Sequence, residues 1–159
     1  MHRSRWIASV VVLAGSGMAL AACGGGGGSE PVSAAELVQR ADAACAKERS
    51  SFARIQAHPP PNASIAADQT DELIKVTQDA NSQLHDLKPP DELRSPYDAY
   101  LDARDRALDQ MKRGKSAADD QDSAGYGAAQ AAVARDAPQR RKLARAVGLK
   151  VCSSKSGTA

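Results

Sequence analysis

Ser33-Ala34-Ala35-Glu36-Leu37-Val38 opens a stretch that runs unbroken to Ile55 and is closed by His58-Pro59-Pro60-Pro61. Reading it as a helix decides the fold, because the same grammar recurs three times downstream. Serine at the cap with glutamate three residues on is a capping-box pattern, in which the hydroxyl takes a bond from an otherwise free backbone N–H. Val38, Ala41, Cys45, Phe52 and Ile55 follow at spacings that place them on one helix face. The prolines end it, since proline lacks the N–H a helix needs and restricts the residue before it.

A second helix is expected from Asn62 or Ser64, with Ala66, Leu73, Thr77, Ala80, Leu84 and Leu87 as its stripe and Lys88-Pro89-Pro90 as its stop. The third is expected from Asp91 or, better, from Ser95-Pro96, because serine suits the cap and proline the first helical position. Its face is Tyr97, Leu101, Leu108 and Met111, and Gly114 is read as its end. The last helical region carries Tyr126, Ala129, Val133, Leu143 and Val147; Gly148 and Leu149 then look like a helix-ending glycine with its hydrophobic contact. No segment alternates with period two. Four helices on short loops predict an all-α antiparallel bundle.

Upstream, Met1 to Ala22 read as a secretory signal: Arg3 and Arg5, an apolar run from Trp6 to Leu20, then small residues. The run is too short and too rich in Gly, Ser and Ala for a membrane span. The word Leu20-Ala21-Ala22-Cys23 resembles the lipobox of bacterial lipoproteins. That resemblance implies that Cys23 takes a diacylglyceryl group, becomes the new N-terminus and carries two or three acyl chains, enough for durable anchoring. The competing reading is an ordinary secretory signal cut after Ala21. Gly24 to Ser29 would then be a flexible spacer between lipid and fold. The expected organisation is 1–22 signal peptide, 23–31 lipidated cysteine and tether, 32–153 bundle, and 154–159 flexible tail. The expected location is the extracytoplasmic face of the cell membrane.

The leader holds two of the 21 basic residues and none of the 19 acidic ones, so the remainder is balanced at 19 of each. A neutral chain with 3% aromatic residues is a poor nucleic-acid binder, which needs a basic surface and often stacking rings. With Cys23 assigned to lipid, Cys45 and Cys152 remain, and an even pair in an exported chain most simply forms a disulfide; the alternative is two unpaired buried thiols. Closing so long a loop contributes roughly 4–5 kcal/mol in the chain-entropy model. It also constrains geometry. A fourth helix running continuously from Ser116 to Val147 would be about 46 Å long and would carry Cys152 well past Cys45. Five extended residues span only ~17 Å. A disulfide therefore requires that this helix start late, near Asp119-Asp120-Gln121-Asp122 and Gly125, or bend at Pro138.

Four charges interrupt apolar stripes: Glu48 between Cys45 and Phe52, Arg104 between Leu101 and Leu108, and Asp136 and Arg140 between Val133 and Leu143. They are expected either to meet in a polar layer inside the bundle, fixing register or binding a small polar ligand, or to reach water after a slight helix rotation. His58 and His85 are isolated, without the Glu-x-x-His pairs of metal-binding bundles, so no metal is expected. Asp119, Asp120 and Asp122 lack the alternating ligands of a calcium loop and suit a helix start. Arg140, Arg141, Lys142 and Arg145 suit a helix end, with anionic headgroups or cell-wall polymer as the functional alternative. No nucleophile elbow, free thiol or phosphate loop is present in the sequence, so neither enzymatic chemistry nor a cofactor is expected.

The Lys88-Pro89-Pro90-Asp91-Glu92-Leu93 and Gly148-Leu149-Lys150-Val151-Cys152 segments, with a cysteine early in the first helix, resemble small helical lipoproteins of actinobacterial type. The resemblance implies an envelope address and brings no activity. The functional expectation is a non-enzymatic interaction module that engages an envelope protein or cell-wall polymer. The alternative is a small-ligand-binding bundle with a polar site around Glu48 and Arg104.

Overall fold

The computed structural model describes residues 30–59 and 61–155. The expected signal peptide, Cys23 and the expected Gly24–Ser29 spacer, with residues 156–159 of the tail, lie outside the described residues. Four helices follow in order: α1 Ala34–Ile55, α2 Ala63–His85, α3 Asp91–Asp119 and α4 Ser123–Val147. Among the described residues there is no strand.

Local chemistry sets most of the helix ends. Ser33 Oγ accepts from the Glu36 N–H at 3.2 Å, while the Glu36 carboxylate turns forward to pair with Arg40. Asn62 Oδ1 accepts from Ile65 N–H at 3.0 Å, and Asp122 Oδ1 from Gly125 N–H at 2.9 Å. Each satisfies one of the donors a helix start leaves free. At the other end of α4, Gly148 takes φ +90°, and the Leu149 N–H returns to the Ala144 carbonyl at 3.0 Å. Leu149 itself is buried. This is the expected glycine-plus-hydrophobe stop.

Both boundaries of α3 differ from the preferred expectation. Helix α3 takes the earlier of its two candidate starts, immediately after Pro90 and with no side-chain cap. Acidic Asp91 and Glu92 in the first turn suit the positive end of the helix dipole. Pro96 therefore lies inside the helix rather than at its first position, where its missing N–H frees only the carbonyl of exposed Glu92.

Gly114, read as the end of α3, sits buried inside it. A Cβ there would lie 3.3 Å from Ala129 Cβ, so the absent side chain lets α4 come close. The helix instead stops where Gln121 adopts a left-handed φ of 58° and Asp122 N–H reaches back to the Ala117 carbonyl at 2.7 Å. Of the two geometries a disulfide was expected to require, α4 takes the late start, at Ser123, and continues through Pro138 without a break.

The four helices join through short connections, and α3 with α4 is the most closely packed pair. The main core lies at the end where α1 and α3 begin and α2 and α4 finish. It gathers Leu37, Ala41, Leu84, Tyr97, Tyr100, Leu101, Val147 and Leu149. The opposite half is thinner: Ile74, Leu108, Ala129 and Ala132 are buried, but Phe52, Ile55, Leu73 and Met111 are only half-buried. Cys45 and Cys152 are bonded across 107 positions with Cα atoms 5.3 Å apart.

Two contacts outside the helices tie down the core-rich end. The Val32 N–H donates to the Lys88 carbonyl at 2.9 Å, fastening the segment before α1 to the loop before α3. Asp42 accepts from the backbone N–H groups of Lys150, Val151 and Cys152 at 3.0, 2.9 and 3.1 Å, with Arg49 donating to the Val151 carbonyl and Ser154 Oγ. Ser154, placed with the tail in the sequence reading, is thus hydrogen-bonded to α1.

Candidate functional site

Glu48 on α1 and Arg104 on α3 meet. Arg104 Nη2 donates to Glu48 Oε1 at 2.8 Å, with the two side chains only 12% and 15% exposed. Arg104 Nε donates to Asn81 Oδ1 at 2.7 Å, and its Nη1 donates to the Tyr100 hydroxyl at 3.3 Å. Its guanidinium carbon also lies 5.9 Å from the Tyr100 ring centroid. Burial by itself would lower the pKa of Arg104, but Glu48 and Tyr100 outweigh it and hold the guanidinium above its ordinary value. The charge is permanent, and an isolated buried charge would be costly. The planar fork of arginine suits it to reach three partners at once.

The layer continues sideways. Asn81 Nδ2 donates to Asp105 Oδ1 at 2.8 Å, and His85 Nε2 lies 2.8 Å from Asp105 Oδ2. One polar chain therefore runs Glu48–Arg104–Asn81–Asp105–His85 across α1, α3 and α2, from the interior to a half-exposed imidazole. Sequence reading missed Asn81 and Asp105 and treated His85 as isolated. The signal for Asn81 was its place four residues after Thr77 and three before Leu84, on the same buried stripe of α2.

The other two charges of the expected layer do not join it. Asp136 is exposed, 3.7 Å from Arg135. Arg140 is half-buried and donates to the Val133 carbonyl at 3.3 Å, and its pKa is lowered by burial and then by repulsion from Arg104. The reason is helix rotation. The buried stripe of α4 runs Ala129, Ala132, Ala144 and Val147, and half-buried Ala137 occupies the place the sequence pattern gave to Asp136.

The remaining candidates are surface residues. His58, Asp119, Asp120 and Asp122 are exposed, and Asp122 serves as the cap of α4. Lys142 and Arg145 are exposed and Arg141 half-buried at the end of α4. Among the described residues no group of three or more His, Cys, Asp or Glu is placed to hold a metal ion. No helix among them is long and apolar enough to cross a membrane.

Space near the layer is small. The groove between α1 and α2 beside Glu48, floored by Ala44, Val76 and Ala80, holds about 60 Å³, against the several hundred Å³ typical of a ligand pocket. A wider, open depression of about 280 Å³ lies at the opposite end, between Gln56, His58, Leu73 and Tyr126. No family model, curated protein or solved structure matches the chain.

Proposed function

We propose that this chain is a lipid-anchored protein of the bacterial envelope, whose helical domain works as a non-enzymatic interaction module at the extracytoplasmic face of the membrane. The address rests on the Leu20-Ala21-Ala22-Cys23 word behind a signal-like leader, with acyl chains on Cys23 as the hold. A protein or cell-wall polymer of the envelope is the partner class that such a tether brings within reach.

One observation supports the choice of module over small-ligand binder: the polar layer is filled by the protein's own groups. Each of the three guanidinium nitrogens of Arg104 already has a side-chain partner, in Glu48, Asn81 and Tyr100. A ligand at Glu48 and Arg104 would have to displace those bonds and enter a space of about 60 Å³. The layer reads as a register lock between α1, α2 and α3.

The test joins chemistry to location. Mass spectrometry of the native protein should find a diacylglyceryl-modified Cys23 at the N-terminus. Proximity labelling in living cells should return a specific set of envelope neighbours that Cys23→Ala loses. An unmodified polypeptide free in the medium, or an identical neighbour set in the variant, defeats the proposal.

A further inference from the structure

The bridge between Cys45 and Cys152 is asymmetric, and its two sulfurs sit in different chemistry. Cys45 is 4% exposed on α1, whereas Cys152 is half-buried on the short turn that follows α4. A disulfide sulfur carries no proton, so at the 3.5 Å contact between Cys45 Sγ and the Tyr100 hydroxyl it is the tyrosine that donates. Arg104 Nη1 lies 3.9 Å from the same sulfur and also donates to the Tyr100 hydroxyl. A donor and a cation thus converge on Cys45.

We propose that this bridge is a directional thiol-exchange site: a small-molecule thiolate enters at Cys152, and Cys45 is the sulfur that leaves. The incoming thiolate attacks Cys152 Sγ, a new sulfur–sulfur bond forms there, and the Cys45–Cys152 bond breaks with its electron pair staying on Cys45. Tyr100 and Arg104 then hold that thiolate by charge-assisted bonds, and a stabilised leaving thiolate departs faster. Reversal needs no further reactant: the Cys45 thiolate attacks Cys152 Sγ in the mixed disulfide and expels the small thiol.

The charged and titratable groups around the bridge are Asp42, Glu48 and Arg49 on α1 and Tyr100 and Arg104 on α3, with Tyr97 on α3 and Arg140 on α4 acting on the Tyr100–Arg104 pair. Glu48 shares the charge of Arg104 without displacing the Tyr100 donor. On the other side, Asp42 and Arg49 keep their grip on the Lys150–Ser154 turn by hydrogen bonds alone. Cys152 therefore stays opposite Cys45 after the bond opens, so exchange is reversible and the turn acts as a latch.

The experiment uses the full chain, purified in detergent with its disulfide intact and exposed to limiting glutathione, then quenched with iodoacetamide. Peptide mass spectrometry should place glutathione on Cys152 and the alkyl group on Cys45. Glutathione on Cys45, or an even division, overturns the proposal. Tyr100→Phe keeps the ring and removes the donor, and should slow opening measurably, because a leaving thiol of higher pKa departs more slowly. Arg104→Gln should act in the same direction. A general loosening of the fold would speed opening instead, so an unchanged or faster rate in Tyr100→Phe also overturns it.

Discussion

Tyr97 shows how much a chain so poor in aromatics asks of each ring. It is fully buried, its hydroxyl donates to the Leu84 carbonyl at 2.8 Å, and its ring lies 6.3 Å from that of Tyr100 at a 47° tilt. Burial, reinforced by Tyr100, holds its phenol well above the ordinary range against the opposing pull of Arg104. Tyr100 is raised too, again chiefly by burial. The sign follows from proton counting. Above about pH 10 the unfolded chain releases phenolic protons that the folded chain retains, so the folded state binds more of them. Stability from these groups is complete below about pH 10 and drains away as pH rises further. Urea midpoints measured on both sides of that pH should fall on the alkaline side. Tyr97→Phe should begin about 1 kcal/mol lower, for the lost hydrogen bond, and decline less steeply. An equal slope in both proteins would mean that the Tyr97 phenol ionises as freely in the fold as outside it.

Capping chemistry carried the legible part of the elements. Ser33 and Asn62 cap α1 and α2 as their side chains suggest, and Gly148 ends α4. What local reading misjudged was Gly114, because glycine inside a helix costs only about 1 kcal/mol, an amount that close packing against Ala129 offsets. The local sequence contains the penalty but not the partner that makes it worthwhile. Gly114→Leu should therefore cost about 2 kcal/mol by overpacking the α3–α4 contact, while Gly114→Ala should stay near neutral as propensity gain meets the 3.3 Å approach. Chemical denaturation of the two variants checks this. A neutral leucine would show that α3 and α4 do not meet there.

Across the molecule, fastenings accumulate at one end. The large buried side chains, the disulfide, the Asp42 clamp and the Val32–Lys88 bond all lie where α1 and α3 begin. The far end has Ile65 and Tyr126 exposed and an open depression beside His58. Local stability follows buried apolar contact, so the bundle should open from the far end. Native-state hydrogen exchange should find the strongest protection at Ala41–Cys45, Tyr97–Leu101 and Ala144–Val147, and early exchange at Ala63–Thr70 and Ser123–Gly127. Uniform protection along α2 and α4 would contradict the gradient.

Helical periodicity, caps, proline stops and an even cysteine pair were enough to determine an all-α bundle closed by a disulfide, and the reach of five residues after α4 was enough to require that α4 start late or bend at Pro138. These are short-range properties, set by side chains within a few positions of one another or by chain length. Tertiary structure alone decided which charges became interior. Glu48 and Arg104 lie 56 positions apart, and their pairing depends on how α1 and α3 are rotated about their axes. Asn81 entered the layer from the stripe it shares with Thr77 and Leu84, whereas the rotation of α4 left Asp136 in water, because that rotation is set by the neighbours the helix packs against.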